Sequence, residues 1–149
     1  TFYIGVDRSK WKITASSTEN SQWDAAKAID GNPQTYWHTS WSRKGQTHPH
    51  TLSIDLGEVL NVKAFSYLPR QDRRVADSMI EKFRIEGSLD GKSWFKWQDG
   101  TFGNLLNDPS TRIHWFKESR KVRFFRLVSL AGVQGKPYAG AAEIEIMVK

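Results

Sequence analysis

The sequence of 149 residues contains no cysteine. This absence excludes disulfide bonds, zinc–thiolate sites and thiol nucleophiles, and it leaves both a cytosolic and an extracellular compartment open. The sequence also lacks a run of ~18 apolar residues and the charged and apolar regions of a signal peptide, so we expect neither a membrane-spanning helix nor a signal peptide. Because the chain begins with threonine, we expect it to be one domain of a longer or processed protein.

Sequence motifs of catalysis are missing as well. There is no serine nucleophile motif, no glycine-rich phosphate loop and no HExxH zinc motif. Two histidines, His48 and His50, lie beside a predicted strand start without an evident carboxylate partner. A carboxylate pair drawn from Glu19, Asp24 and Asp72 stays open, because a sequence does not give their separation. We expect no catalytic activity from this domain, and a small esterase or hydrolase is the third hypothesis.

Positive charge is plentiful but has no continuous stripe. The formal net charge is +6, and the basic residues between 70 and 126 are interleaved with aspartate and glutamate. Dedicated nucleic-acid binding usually shows a clustered basic face. We therefore expect no nucleic-acid partner, whereas non-specific attraction to polyanions stays open.

Hydrophobic residues recur with a period of two. Leu52, Ile54 and Leu56 alternate with polar residues, and the same alternation occurs at 82–86 and 143–148, where Met147 takes a polar-face position. Such alternation predicts half-buried strands, and the apolar stretches 62–68 and 122–130 predict central strands. The only helical candidate is short, at 25–28. With no repeat or linker, these patterns predict one all-β domain over residues 1–149, an antiparallel β-sandwich or barrel.

Turn signals separate the predicted strands. They include Asp30-Gly31-Asn32-Pro33, Leu56-Gly57, Asp90-Gly91 and Gly135-Lys136-Pro137. Asp90-Gly91 supplies the positive φ of a two-residue hairpin turn, so we predict a hairpin there.

One segment, AAKAIDGNPQTYWHTSW at 25–41, combines a tight turn, an oxygen-rich loop and several aromatic residues around one histidine. A packed core alone would not require this polar and aromatic mixture, which is typical of a sugar-binding loop. In chain order it is followed by HPHTLSIDLG, VKAFSYLPRQD, FRIEGSLDGKSW, VRFFRLVSL and AGAAEIEI.

This ordered set of blocks, from about Trp11 to the C-terminus, resembles the discoidin or coagulation factor V/VIII type C domains, and among them the family 32 carbohydrate-binding modules. The blocks LPRQD and WHTSW resemble the galactose-binding modules of bacterial sialidases and galactose oxidase. The resemblance implies a galactose-binding-domain-like jelly-roll sandwich of about eight strands. The coagulation domains carry apolar spikes and a framing disulfide, so the lack of cysteine argues against membrane insertion.

A galactose-type ring has an apolar C–H face and a rim of hydroxyls, so a binding site needs an aromatic platform and a few polar groups. Trp41 suits the platform, although a core position is equally open. His38 can donate to or accept from a hydroxyl, and Arg70 offers a planar fork of donors. These three match the ligand positions that the resemblance implies. The resemblance also implies an acidic acceptor, for which Glu19 is the weakest match, and a second aromatic at Tyr138.

The turn at Asp30 is rich in oxygen atoms, which suits calcium, an ion that takes six to eight oxygen ligands. From the residues alone, Asp30 forming an Asx turn and Glu143 facing solvent is the preferred interpretation. The family resemblance instead implies a structural Ca²⁺ ion. Its implied ligands are the Lys27 carbonyl, the Asp30 side chain, the Asn32 carbonyl, Thr35, the Ala142 carbonyl and the Glu143 side chain.

The leading hypothesis is a non-catalytic carbohydrate-binding module for terminal galactose or N-acetylgalactosamine on glycans. The resemblance implies a covalently linked catalytic domain, a glycoside hydrolase such as a hexosaminidase, fucosidase or sialidase. The runner-up is a discoidin-like adhesion module that binds a protein or an anionic polysaccharide, in line with the net charge of +6. We expect a monomer that works outside a bacterial cell, at its surface or in the periplasm.

Overall fold

The computed structural model describes residues 4–148, which contain nine strands joined by loops and short 3₁₀-helical turns. The strands are β1 (Ile4–Gly5), β2 (Lys12–Ala15), β3 (Trp37–His38), β4 (His50–Leu68), β5 (Ile80–Ser88), β6 (Phe95–Thr101), β7 (Arg112–Gly132), β8 (Gly140–Ala141) and β9 (Glu143–Val148). The 3₁₀ turns are Ser21–Trp23, Ala25–Ala28, Val75–Asp77 and Val133–Gly135. The predicted helical candidate at 25–28 is thus one of several such turns.

Two long strands, β4 and β7, build both layers of the molecule. The first part of β4 pairs with β2 and with 124–129 of β7, whereas its second part pairs with β9 and with 112–122 of β7. The register shifts between Asp55 and Leu60, where Gly57 adopts a φ of 79° that favours glycine. One layer therefore runs β2–β4–β7–β5–β6 and the other β1–β9–β4–β7, all antiparallel. This arrangement confirms the predicted antiparallel β-sandwich.

The core lies between the two layers and follows the predicted alternation. Leu52, Ile54 and Leu56 are buried, and so are most residues of the predicted central stretch 62–68. Aromatic rings fill the centre, where Phe65 contacts the rings of Phe83, Phe102, Phe116 and Phe125. Sandwich cores of this kind are dominated by inward-facing residues of both sheets.

The structure corrects two details of the sequence-based prediction. Met147 is buried, although the alternation of β9 placed it on the polar face; Ile146 and Met147 are both buried where the pairing with β4 shifts register between Val62 and Ala64. The hairpin β5–β6 is present, but its connection spans 89–94 and is not a two-residue turn. There the Asp90 carboxylate accepts bonds from the N–H groups of Lys92 and Ser93, which stabilises a longer loop.

The short pair β3–β8 closes one end of the sandwich. His38 lies opposite Gly140 in this pair, and Trp37 lies opposite Ala141. Gly140 allows a close approach, since a Cβ there would lie 2.6 Å from the Trp37 carbonyl oxygen and 2.7 Å from Ser78 Oγ. The pair therefore joins the loop after residue 36 to the loop before β9. Within 4–148, the structure has no helix of the length and apolarity that crossing a bilayer requires.

Candidate functional site

A cavity of about 370 Å³ opens at the end of the sandwich that β3 and β8 close. Its volume falls within the range of about 300–1,000 Å³ typical of small-molecule sites. The wall combines aromatic rings with charged groups from four separate loops. It is formed by Trp23, Tyr36, His38, Trp41, Arg70, Arg74, Asp77 and Tyr138. Four of the five predicted sugar-binding residues thus meet at one place, and Glu19 is the exception.

Trp41 has the geometry of a platform. Its side chain is 42% exposed, whereas Trp37 in the same segment is 1% exposed and donates its indole N–H to the Ser17 carbonyl oxygen. The rings of His38 and Trp23 approach Trp41 edge to face, with centroid distances of 4.9 and 4.7 Å. These contacts fix the orientation of the Trp41 ring while leaving much of it exposed.

Glu19 supports the Trp41 loop from behind instead of lining the cavity. Its Oε1 accepts bonds from the N–H groups of Trp41 and Ser42, both at 3.0 Å, and from the Ser42 hydroxyl. These bonds, led by that from the Ser42 N–H, lower the pKa of Glu19. Direct contact between Glu19 and a ligand stays a prediction, and the contacts that the structure shows give it a positioning role.

His38 is 2% exposed, and its Nδ1 lies 2.7 Å from the Thr39 carbonyl oxygen. A carbonyl oxygen only accepts, so Nδ1 carries the proton and neutral His38 presents Nε2 as an acceptor. Burial is the main cause that lowers the pKa of His38 below its ordinary value of 6.5. The site therefore holds a neutral imidazole at pH 7, whose chemistry is acceptance of a hydroxyl proton.

Arg70 is held in place by a carboxylate that the sequence did not single out for this purpose. Its Nε and Nη2 each donate to Asp72 at 2.8 Å, and its guanidinium lies 4.6 Å from the Tyr36 ring centroid. Burial is the largest single influence and opposes ionisation of Asp72, but the bonds and charge of Arg70, the Arg74 N–H and the Tyr36 hydroxyl together outweigh it and lower the pKa of Asp72. Asp72 thus engages two of the five N–H groups of the Arg70 fork predicted for a ligand, on Nε and Nη2.

Four residues of the wall were not among the predicted sugar-binding residues, namely Trp23, Tyr36, Arg74 and Asp77. Trp23, which the sequence analysis did not place in a site, lines the cavity through its contact with Trp41. Asp77 also lines it, with Arg74 Nε 2.7 Å away and Lys136 Nζ 3.9 Å away. Tyr138 was predicted, and its ring centroid lies 5.5 Å from that of His38. In the sequence, the segment RRVADS that follows LPRQD contains Asp77 and two arginines, and these charged residues indicated a polar loop.

A second cluster joins the Asp30 turn to β9. Asp30 accepts from the Asn32 N–H at 2.9 Å and from the Thr35 hydroxyl, so it does form an Asx turn. Glu143 faces this turn, because its Oε2 accepts from the Gly31 N–H at 3.1 Å. Its Oε1 lies 2.7 Å from Arg8 Nη1. Burial first, and then the Asp30 carboxylate, raise the pKa of Glu143, whereas Arg8 lowers it.

The oxygen donors of this cluster are of the kind that calcium takes. The Asp30 and Glu143 carboxylates and the Thr35 hydroxyl lie close together, and Ala142, whose carbonyl is an implied ligand, directly precedes Glu143 and donates its N–H to the Leu68 carbonyl. The structure finds no group of three or more His, Cys, Asp or Glu side chains suited to a metal among residues 4–148. A cation here would therefore depend on hydroxyl and carbonyl oxygens beside Asp30 and Glu143, which calcium accepts readily.

Comparison with known proteins identifies the family. The F5/8 type C domain family matches residues 12–144, and the chain belongs to it. Among solved structures, the Clostridium perfringens module CpGH89CBM32-5, in complex with GalNAc-β-1,3-galactose, superposes with a TM-score of 0.85 and 29% identity. The match covers 96% of this chain and 99% of that one. The structural neighbours include family 32 carbohydrate-binding modules, in agreement with the predicted resemblance.

Two curated relatives are much longer than this chain. A galactose oxidase from Gibberella zeae is 34% identical over 142 residues, which is 95% of this chain and 20% of that protein. A sialidase from Micromonospora viridifaciens is 33% identical over 147 residues, which is 95% of this chain and 22% of that protein. The chain thus spans about a fifth of the length of these relatives.

Proposed function

We propose that the domain is a non-catalytic carbohydrate-binding module that recognises terminal galactose or N-acetylgalactosamine. The observation that carries this proposal is the half-exposed Trp41 ring beside His38 and Arg70 in one shallow cavity. An aromatic surface next to a neutral acceptor and a cationic donor suits a ring with one apolar face and hydroxyls at its edge. The C. perfringens module solved with GalNAc-β-1,3-galactose supports the same ligand class.

The polar groups of the cavity suggest how the protein recognises one hydroxyl of the sugar. His38 Nε2 accepts a hydrogen bond and Arg70 donates one, so a hydroxyl placed between them donates to His38 and accepts from Arg70. In galactose the C4 hydroxyl is axial and projects from the ring, whereas in glucose it is equatorial. A site arranged around the axial position leaves its buried polar groups unpaired when glucose binds. We therefore expect galactose to bind better than glucose.

Affinity for a single sugar should be weak. One stacked ring and few hydrogen bonds give only a small net free energy of binding, because lost freedom and desolvation oppose it. We expect a Kd on the order of millimolar, which corresponds to about −4 to −5 kcal/mol. Titration calorimetry with galactose, N-acetylgalactosamine, lactose and glucose tests this proposal. Trp41→Ala should weaken binding at least about fivefold, because stacking alone contributes about 1 kcal/mol. Trp94→Ala is the matched control, since Trp94 packs against Phe124 and Arg126 away from the cavity.

Two outcomes would contradict the proposal. If none of the galactose-type sugars binds, or if Trp41→Ala binds as well as wild type, the ligand or the site is wrong. A glycan array probed at low and at high salt distinguishes this proposal from the anionic polysaccharide hypothesis, because salt screens charge attraction and leaves stacking. Absence of turnover on aryl glycosides and aryl esters is the parallel test of the non-catalytic role.

We also propose that Asp30, Thr35 and Glu143, with the carbonyls of Lys27, Asn32 and Ala142, hold a structural Ca²⁺ ion. The contacts of Asp30 with Thr35 and with Glu143, which bring the first loop to β9, support this proposal. A bound ion would offset the repulsion between the two carboxylates and join the loop to the sheet. Thermal unfolding with and without a chelator measures this contribution.

We propose the linked domain, the partners and the place of action of the module from its similarity to longer relatives. The relatives are several times longer, which supports a covalently linked catalytic domain that this module brings to glycans. Galactose-type glycan termini are the proposed partners, and the proposed place of action is outside the cell, in the periplasm or at the cell surface. We propose that the module is a monomer, which sedimentation of the purified domain measures directly.

A further inference from the structure

Tyr138 lies in a short segment whose two flanks are held by different kinds of contact. On its C-terminal side, the backbone is bonded to β3 and to Ser78. Thr39 donates its N–H to the Ala139 carbonyl at 2.9 Å, and Gly140 donates to the Ser78 carbonyl at 2.9 Å. On its N-terminal side stands Pro137, which has no N–H to donate, so sheet-like pairing through that residue is excluded. The Lys136 N–H donates to the Val133 carbonyl at 3.2 Å, and the carbonyls of residues 136 and 137 are the further groups that hold this side.

Both of these carbonyls face histidine side chains. His50 Nε2 lies 2.6 Å from the Pro137 oxygen, and His48 Nε2 lies 3.2 Å from the Lys136 oxygen. Because carbonyl oxygens only accept, His50 Nε2 carries the proton. His48 lies between two carbonyls, since its Nδ1 is 3.1 Å from the Ser129 oxygen, and a neutral imidazole donates to one of them at a time. When the proton is on Nε2, the Ser129 hydroxyl, 3.2 Å from Nδ1, can supply its hydrogen. Two consecutive carbonyls thus each lie within hydrogen-bond distance of a neighbouring imidazole.

The residues around His48 and His50 are packed so that these imidazoles stay close to the two carbonyls. His50 is buried, and the two imidazole rings pack edge to face with a centroid distance of 4.7 Å. Gly132 leaves the space that the Lys136 carbonyl occupies, since a Cβ at 132 would overlap this oxygen and press on His48 Nε2. The residue that follows the clamped pair is Tyr138, which lines the cavity.

We propose that His48 and His50 are positioning residues of the ligand site, which hold Tyr138 against a bound sugar by clamping the carbonyls of Lys136 and Pro137. This inference rests on the carbohydrate-binding role proposed above. The histidines themselves do not touch the ligand. They restrict the backbone before Tyr138, so the free protein already presents the ring, and binding does not have to order this segment.

The test is an NMR titration of the ¹⁵N-labelled domain with galactose, which measures millimolar affinities. His50→Phe keeps a ring but removes the donor, and we expect roughly a three- to tenfold weaker affinity, the effect of one net hydrogen bond. His50→Gln, which retains an N–H donor, should recover part of that loss. His114→Phe is the matched control, because His114 packs against Phe65 and Phe83 in the core.

A double variant tests whether His50 affects ligand binding through the Tyr138 ring. If His50 acts through Tyr138, then His50→Phe should cause no further loss in a Tyr138→Ala background. Equal losses in both backgrounds would overturn this route, and unchanged affinity of His50→Phe alone would overturn the proposal while the binding function stands. If wild type itself binds no galactose, both the function and the inference fail. Should His50→Phe not fold, His48→Phe and His48→Gln provide the same comparison at the other carbonyl.

Discussion

Replacing Asp72 by alanine would release Arg70 without touching the proposed ligand contacts themselves. Asp72 Oδ1 accepts from Arg70 Nε and from the Arg74 N–H, at 2.8 and 3.0 Å. Its Oδ2 accepts from Arg70 Nη2 at 2.8 Å and from the Tyr36 hydroxyl at 3.3 Å. In Asp72→Ala the Arg70 guanidinium, in a residue that is 9% exposed, would keep its contact with the Tyr36 ring but lose its counterion.

The expected magnitude follows from the burial of this ion pair. The Arg70 side chain is 10% exposed and that of Asp72 is 45% exposed. Exposed ion pairs contribute ~0.2–1 kcal/mol, whereas breaking a fully buried pair costs ~3–5 kcal/mol, so we expect a loss of roughly 1–2 kcal/mol in the free energy of unfolding. Affinity should fall about fivefold, equivalent to ~1 kcal/mol, because an unheld arginine must be ordered when the sugar binds.

Urea unfolding and galactose titration of Asp72→Ala, Asp72→Asn and Arg70→Ala measure both quantities. Asp72→Asn keeps an acceptor oxygen without the charge, so its affinity should lie between those of wild type and Asp72→Ala. In an Arg70→Ala background, Asp72→Ala should weaken binding much less, since most of its effect on the ligand passes through Arg70 and only the remainder through the lost bonds to Tyr36 and Arg74. Wild-type affinity in Asp72→Ala, at unchanged stability, would refute the argument that this carboxylate preorganises the site.

Two further predictions concern pH and metal. Burial lowers the pKa of His38 below 6.5, so galactose affinity should stay constant at neutral pH and fall as pH falls through this lowered pKa, where Nε2 loses its acceptor lone pair. Affinity that rises on acidification in calorimetry would contradict the assigned tautomer. Stability should also fall below pH 6.5, because His38 and His50 both have lowered pKa values and the unfolded chain then binds more protons. Chelation should lower the Tm, by the equivalent of ~2.7 kcal/mol if free metal had been a hundredfold above its Kd, and Asp30→Ala should remove this response. An unchanged melt, with no metal in the purified protein, would contradict the calcium site.

The sandwich could be predicted because its strands carry their side-chain alternation in the sequence. Leu52, Ile54 and Leu56 point inward wherever the chain is extended, and a turn signal at Gly57 marks the end of the run. The sequence did not show that β4 continues through Gly57 as one bent strand, because a glycine with positive φ serves a turn and a bulge equally well. Pairing to β7 on both sides of this point decides between them, and pairing is a tertiary property.

The candidate site could be predicted only where a local motif carried it. His38 and Trp41 lie three residues apart in one loop, and the family resemblance pointed to Arg70 and Tyr138. The groups that hold these side chains are distant in sequence or chemically unremarkable. His50 reaches the Pro137 carbonyl across 87 positions, and no pattern in a sequence specifies a hydrogen bond to a backbone oxygen. Supporting contacts of this kind become visible only in the folded chain.

A weak site of this kind is consistent with a module that is tethered to a larger protein. Short flexible linkers give effective concentrations on the order of millimolar, similar to the Kd expected for one sugar, so a glycan presented near the linked domain would be bound for a substantial fraction of the time. Tighter binding would slow release and hold a linked catalytic domain at one glycan. In the proposed function, the contacts that orient Trp41, Arg70 and Tyr138 therefore matter more for selecting the sugar than for retaining it. Affinity measured for the isolated domain should consequently understate its retention on a surface that displays many galactose-type termini.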